Sequence, residues 1–238
     1  MNLTSNQLQP PTPGAFRWQN ADAYLFDIDG TLLVTRDFVH WNALNQAMLE
    51  VYGVDTTIEG IAYHGKTDLG ILRAALLRAG IADVAFEEKL APALEVICRE
   101  VSDHRDEIVA EVCPGVPEVL AALQDSGKLL GVASGNLESV GWQKIAAAGL
   151  REFFSFGCYS DRTEMRSDIF CSAVREAKAR LGTHATVCFI GDTPEDIKAA
   201  KAANAPIIAV STGIFSLSEL QAYSPDLCID SCVALIST

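Results

Sequence analysis

Apolar residues fall into short, continuous blocks along much of the chain, each ending in a polar residue or a turn. Six blocks read as strands: 24–26, 129–133, 153–158, 186–190, 207–210 and 227–229. Several are apolar throughout rather than alternating, which predicts a sheet covered on both faces. Stretches with helical spacing separate the blocks from residue 129 onward. Among them are 137–148, closed by Gly149, and 194–203, closed by Asn204. Strand–helix alternation of this kind predicts a parallel, doubly wound α/β sheet.

The first interval breaks the rhythm. About a hundred residues separate the first strand block from the second, with no convincing strand between them. Phe38, Trp41, Leu44, Met48 and Val51 share one helical face. So do Leu69, Leu72, Leu76 and Ala79, and then Phe86, Leu90, Leu94, Ile97 and Val101. Gly53 and Gly80 suit helix ends. The pattern predicts an inserted helical domain over residues 37–113, with a core made of 20–36 and 114–238 and a helix at 117–124 leading back to the sheet. Residues 1–19 carry Pro10, Pro11, Pro13 and Gly14 and are expected to form a loose tail.

Composition narrows the function classes. Hydrophobic residues make up 49% and charged residues 21%, which suits a globular chain with a sizeable core. The 31 acidic and 18 basic residues give a net charge of −13. Nucleic acid and anionic membranes are poor partners for such a surface, because binding them rests on Lys and Arg. An anionic small molecule would have to be met locally, by a metal, a few basic residues and backbone N–H groups. The N-terminal sequence lacks the basic start and apolar stretch of a secretory leader, and a cytoplasmic location is expected. The seven cysteines include no C-x-x-C and several lie inside apolar blocks, as reduced, buried thiols do.

Three segments carry the chemistry. In Phe26-Asp27-Ile28-Asp29-Gly30-Thr31 an apolar strand delivers two carboxylates two residues apart. Ligands of open α/β sheets bind outside the carboxyl ends of strands. The repulsion between Asp27 and Asp29 calls for a cation, and hard oxygen ligands favour Mg²⁺. In Phe189-Ile190-Gly191-Asp192-Thr193-Pro194-Glu195-Asp196 a second strand ends in acids. Thr193 can cap the following helix, with Pro194 at its first position. Asp196 then has a structural reason as a first-turn acid, whereas Asp192 at the strand tip is a candidate third metal ligand. In Gly131-Val132-Ala133-Ser134-Gly135-Asn136 a hydroxyl ends a strand just before a helix. Ser134, Gly135 and Asn136 could bind phosphate through side chains and free N–H groups, or Ser134 or Asn136 could simply cap the helix.

Taken in this order, each at a strand end, these segments resemble the haloacid dehalogenase superfamily over about residues 22–235. The helical interval is similar in placement to the cap of its phosphoglycolate-phosphatase and β-phosphoglucomutase branch. The resemblance implies a Rossmann-like core of strand order 3-2-1-4-5. It also implies Mg²⁺ held by Asp27, the Asp29 carbonyl and Asp192, and hydrolysis of a small phosphorylated metabolite through an aspartyl-phosphate on Asp27. Asp29 would be the acid and base; members that cleave carbon–halogen bonds or phosphonates usually lack it. The family usually has a Lys opening a K-P-x-P-D segment after the third strand. This chain has no Lys in the corresponding stretch 159–170, and Arg166 is the best substitute, with Arg162 as competitor. A sugar phosphomutase on the same core, and either a monomer or a homodimer, remain compatible.

One further motif competes. Gly60-Ile61-Ala62-Tyr63-His64-Gly65-Lys66-Thr67 fits the Walker A pattern of nucleotide triphosphatases. That reading needs a buried strand before it, and 54–59 is a weak one. Placed instead at the start of a cap helix, Lys66 and Thr67 become candidate substrate contacts.

Overall fold

A computed structural model describes residues 17–236 of the chain. Most of the segment expected as a loose tail lies outside the described residues. Trp18 opens a short 3-10 turn, accepts the hydroxyl of Tyr24 on its carbonyl, and packs edge-on against that ring.

The centre of the molecule is a six-stranded parallel sheet. Its strands are β1 (Ala23–Phe26), β4 (Leu129–Ala133), β5 (Phe156–Cys158), β6 (Val187–Gly191), β7 (Ile207–Val210) and β8 (Leu227–Ile229). They are ordered β5-β4-β1-β6-β7-β8. This is the expected 3-2-1-4-5 arrangement with one more strand at the edge. Helices α4 (Val116–Asp125), α5 (Glu138–Ala147), α6 (Arg166–Leu181), α7 (Pro194–Ala202), α8 (Leu217–Gln221) and α9 (Val233–Ile236) flank it.

The continuously apolar strands are explained by two separate cores. Tyr24 and Phe26 face one side, with Val119, Leu120 and Leu235. Ala23 and Leu25 face the other, with Phe170, Ala173, Ile197 and Ala200. A strand between two helical layers has no wet face, so it needs no polar alternation.

The block at 153–158 is shorter as a strand than its apolarity predicts. Arg151–Phe153 form a 3-10 turn, and buried Phe154 packs edge-on against Phe26 at 6.0 Å between centroids. These phenylalanines are apolar because they sit under the sheet, not because they belong to it.

The long first interval holds three helices, α1 (Val39–Tyr52), α2 (Asp68–Arg78) and α3 (Asp83–Asp103). They enclose an apolar cluster of their own that includes Leu44, Met48, Leu72, Leu76, Phe86 and Ile97, and that reaches Leu137 and Val140 at the start of α5. Two short strands escaped the sequence pattern: β2 (Leu33–Thr35) and β3 (Ala110–Val112) pair antiparallel, Leu33 opposite Val112 and Thr35 opposite Ala110. They bracket the three helices, where the chain leaves the sheet and where it returns.

Candidate active site

The sheet gathers the three motifs at one edge. Asp27 follows β1, Ser134 follows β4 and Asp192 follows β6, and all three are almost fully buried. Because β1 lies between β4 and β6, residues more than a hundred positions apart become neighbours. The backbone turns sharply after Asp29, with Gly30 at φ +84°. A Cβ on Gly30 would come within 2.3 Å of Asp192 Oδ2, so the glycine is needed for both conformation and space.

Arg166, the first residue of α6, enters this cluster from the side and is itself buried. Its Nη2 makes ion-pair contacts of 2.7 Å to Asp27 Oδ1 and 2.6 Å to Asp196 Oδ1, while Nε donates an aligned hydrogen bond of 2.8 Å to Asp196 Oδ1. Arg162, the competitor in sequence, is exposed and takes no part in the acids' ion pairs, which at this corner run through Arg166. Asp196 also accepts from Thr193, on Oδ2, completing a capping box that starts α7.

Asp27, Asp192 and Asp196 each place a carboxylate oxygen within 4.8 Å of the others, all three buried. One guanidinium does not balance three carboxylates. Burial, then the charge of Asp196 and Asp29, pushes Asp27 up to about 7 against the opposing pull of Arg166. Burial and the same crowding hold Asp192 well above the usual carboxylate range. The donor set suits a hard divalent cation: Asp196 has both oxygens engaged by Arg166 and Thr193, which leaves Asp27 and Asp192 as the carboxylates to hold it. Thr31 donates to Asp192 Oδ1 at 3.1 Å and orients it.

The carboxylate of Asp29 points elsewhere. Lys144, on α5, lies 2.9 Å from both of its oxygens, and Asn136 Nδ2 donates to Oδ2 at 2.7 Å. Burial works to raise the pKa of Asp29, but Lys144 and Asn136 outweigh it and hold the group below the usual carboxylate range. Asn136 also donates to Ser134 Oγ at 3.0 Å, joining Asp29 to the hydroxyl at the tip of β4.

One expectation at this end needs correction. The N–H groups opening α5 are not all free for an anion, because Leu137 N donates to Asp68 Oδ2 and Glu138 N to Asp161 Oδ2. Ser134, Gly135 and Asn136 do line the cavity, and a Cβ on Gly135 would sit 2.5 Å from the Lys66 carbonyl and 3.0 Å from Arg166 Nη1, so the glycine lets both approach.

Residues of α1, of α2 and of the segment between them line a cavity together with the acids. The cavity, of about 600 Å³, is lined from below by Asp27, Asp29 and Asp192, and from above by Trp41, Tyr63 and Lys66. Lys66 is exposed at its wall. Thr67, paired with it in the sequence reading, is instead buried and does not line the cavity. Its hydroxyl accepts from Gly70 N as the cap of α2 and donates to the Glu164 carbonyl. The Walker A match also fails structurally, since helix α1 and not a strand leads to Gly60, and the stretch 53–67 is irregular up to α2.

A family model described as haloacid dehalogenase-like hydrolase matches residues 24–210, which span all of these motifs. The chain belongs to that family. A probable phosphatase, IndB, of Dickeya dadantii is 32% identical over 121 residues, covering 50% of this chain and 52% of that relative. The match therefore spans about half of the relative's length. The phosphoglycolate phosphatase of Mesorhizobium japonicum is 27% identical over 79% of this chain and 82% of its own. Among solved structures, CbbY of Rhodobacter sphaeroides, crystallised with phosphate, superposes with a TM-score of 0.68 at 22% identity, covering 90% of this chain and 96% of that one. At that identity the likeness speaks for the fold.

Within this haloacid dehalogenase-like frame, the sequence reading found the acids at the strand tips and Arg166. It missed Lys144, which reads as an ordinary helix residue in Trp142-Gln143-Lys144-Ile145. A lysine four residues after Val140, on the buried side of α5, was the available signal. It also missed Asp68, whose carboxylate receives Leu137 N and pairs with His40 Nε2, and which ties α2 to the loop after β4.

Proposed function

We propose that the protein is a Mg²⁺-dependent phosphatase that hydrolyses a small phosphomonoester through an aspartyl-phosphate on Asp27. The observation that carries this reading is the position of Asp27. It lies at the central strand tip, with Oδ1 against Arg166 and a carboxylate oxygen within 4.8 Å of oxygens of Asp192 and Asp196.

Asp27, the carbonyl of Asp29 and Asp192 would hold the ion. When bound, Mg²⁺ supplies charge neutralisation for the phosphoryl oxygens and the surrounding carboxylates. The remaining chemistry belongs to the chain. An oxygen of Asp27 attacks phosphorus as the ester P–O bond breaks, and the departing oxygen takes a proton from Asp29. Asp29 then accepts a proton from water as that water attacks the acyl phosphate, which releases inorganic phosphate and restores Asp27. Arg166 and the Ser134–Asn136 loop stabilise the phosphoryl oxygens, where most catalysis of phosphoryl transfer resides. Asp196 fixes Arg166. Residues 37–113 act as a cap that excludes water from the leaving-group side, with Lys66 as its contact to a substrate anion.

The relative named phosphoglycolate phosphatase makes phosphoglycolate the first substrate to try. The test is phosphate release from a panel of small phosphate esters with and without Mg²⁺, using wild type and Asp27→Asn. Expected is metal-dependent release that Asp27→Asn abolishes while its unfolding temperature stays near wild type. Release by Asp27→Asn at a rate close to wild type would overturn the proposal.

A further inference from the structure

Lys144 is buried to 4% exposure in the middle of α5, although an ammonium group is expensive to remove from water. Its cost is met by three contacts, one for each N–H: Asp29 Oδ1 at 2.9 Å, Asp29 Oδ2 at 2.9 Å and Asn136 Oδ1 at 2.8 Å. Asn136 turns its amide the other way, to Asp29 Oδ2 and Ser134 Oγ. The side chain of Asp29 is 41% exposed and lines the cavity below the inserted helices. A carboxylate that exposed, with two rotatable bonds, would otherwise sample several rotamers, or swing toward any cation held by Asp27 and Asp192. The clamp prevents both.

We propose that Lys144 is a positioning residue for Asp29, holding its carboxylate by both oxygens at the leaving-group side of the site. Asn136 serves the same clamp and couples it to Ser134. The inference rests on the reading of Asp29 as the proton donor and acceptor. Orientation of a catalytic group before reaction removes its ordering cost from the barrier. A buried ion pair alone is weak evidence for any role, since it often adds little to stability. The useful readout is therefore one that a merely structural pair would not move.

Leaving groups supply that readout. An alkyl phosphate needs its departing oxygen protonated, whereas p-nitrophenyl phosphate departs as a stable anion and needs little acid help. The experiment measures kcat and KM of Lys144→Met and Lys144→Gln on both esters with Mg²⁺, in the wild-type background and on Asp29→Asn. The alkyl ester is the best substrate of the phosphate-release panel. Expected is a loss of about tenfold or more in kcat/KM on the alkyl ester, part of the roughly 10²–10⁴-fold that acid–base help supplies; kcat/KM reports transfer to Asp27 and not the later hydrolysis, which is the same for every ester. On p-nitrophenyl phosphate the loss in kcat/KM should be under about threefold, and Lys144→Met should cost nothing further on Asp29→Asn, as expected for residues acting as one unit. Lys144→Gln retains a donor, so it guards against misfolding and should fall between wild type and Lys144→Met. Equal losses on both esters, or a full further loss on Asp29→Asn, would overturn the role of Lys144 alone. If Asp29→Asn itself treats the two esters alike, the assignment of Asp29 falls and this inference falls with it.

Discussion

Arg166 and Asp27 touch at 2.7 Å, Nη2 against Oδ1, in a site where both side chains are under a tenth exposed. The same guanidinium also fixes Asp196. A planar fork can hold two carboxylates at once; an ammonium is a single point charge. Removing one partner of a buried pair leaves an uncompensated charge and costs about 3–5 kcal/mol. Arg166→Met should therefore lower the unfolding temperature markedly and abolish phosphate release. Arg166→Lys should fold but lose about tenfold in kcat or more, as expected when a positioned charge near the reacting group is displaced. Thermal unfolding and phosphate release check both, and an unfolding temperature unchanged by Arg166→Met would count against the buried pair.

The crowded acids make a pH prediction for the metal-free protein. In an unfolded chain Asp27 ionises near pH 4. In the folded protein it keeps its proton up to about 7, because burial outweighs Arg166. Over that window the folded state binds more protons, so the free energy of unfolding falls as pH rises. Asp192 shifts in the same direction and adds to the slope. Stabilisation by Mg²⁺ should grow over the same window, since metal and protons compete for the same oxygens. Unfolding scans at several pH values, with EDTA or with Mg²⁺, measure both trends; a Mg²⁺ increment that is flat with pH would contradict them.

Asp192→Asn should separate stability from activity. Removing one negative charge relieves the repulsion with Asp27 and Asp196. The metal-free variant is expected to unfold at or above the wild-type temperature. It should lose the Mg²⁺ increment and more than about 100-fold in kcat, on the scale of removing a group that stabilises the transition-state charge. A metal-free variant clearly less stable than wild type would contradict the repulsion.

Two glycines give a matched comparison. Gly53 ends α1 at φ +69°, and a Cβ placed there would meet nothing within 4 Å, whereas Gly30 has φ +84° and its Cβ would meet Asp192 at 2.3 Å. Gly53→Ala and Gly30→Ala should each cost about 1–3 kcal/mol of backbone strain. Only Gly30→Ala should also reduce phosphate release, because only it displaces Asp192. Chemical denaturation with activity assays on both variants gives the answer, and equal retention of activity would remove Asp192 from the mechanism.

What the sequence made legible is local. Asp27 and Asp192 could be placed because each directly follows an apolar strand, and a strand tip in this kind of sheet is an address. Arg166 could be narrowed to two candidates only through the family resemblance, which expects a basic residue after the third strand. For Lys144 the sequence offered a lysine on an apolar helix face but not its role, because that comes from Asp29, 115 positions away, through the packing of α5 beside the sheet. Thr67 misleads for the opposite reason: its hydroxyl answers to Gly70, three residues on, and a helix cap looks the same in sequence as a substrate contact. The strands Leu33–Thr35 and Ala110–Val112 are three residues each, too short for any periodicity, and exist only because they find one another.

That small ribbon has an architectural consequence. Since Thr35 faces Ala110, the chain departs for its helical excursion and comes home at nearly the same point in space. The covalent path between the inserted helices and the sheet runs through this one ribbon, with Arg36 and Glu111 paired at 2.8 Å beside it. The remaining ties, such as Asp68 to Leu137 and Thr67 to Glu164, are side-chain contacts that a different insert could replace. Evolution could thus graft a new roof onto an unchanged hearth, and the ribbon marks where the cut would be made.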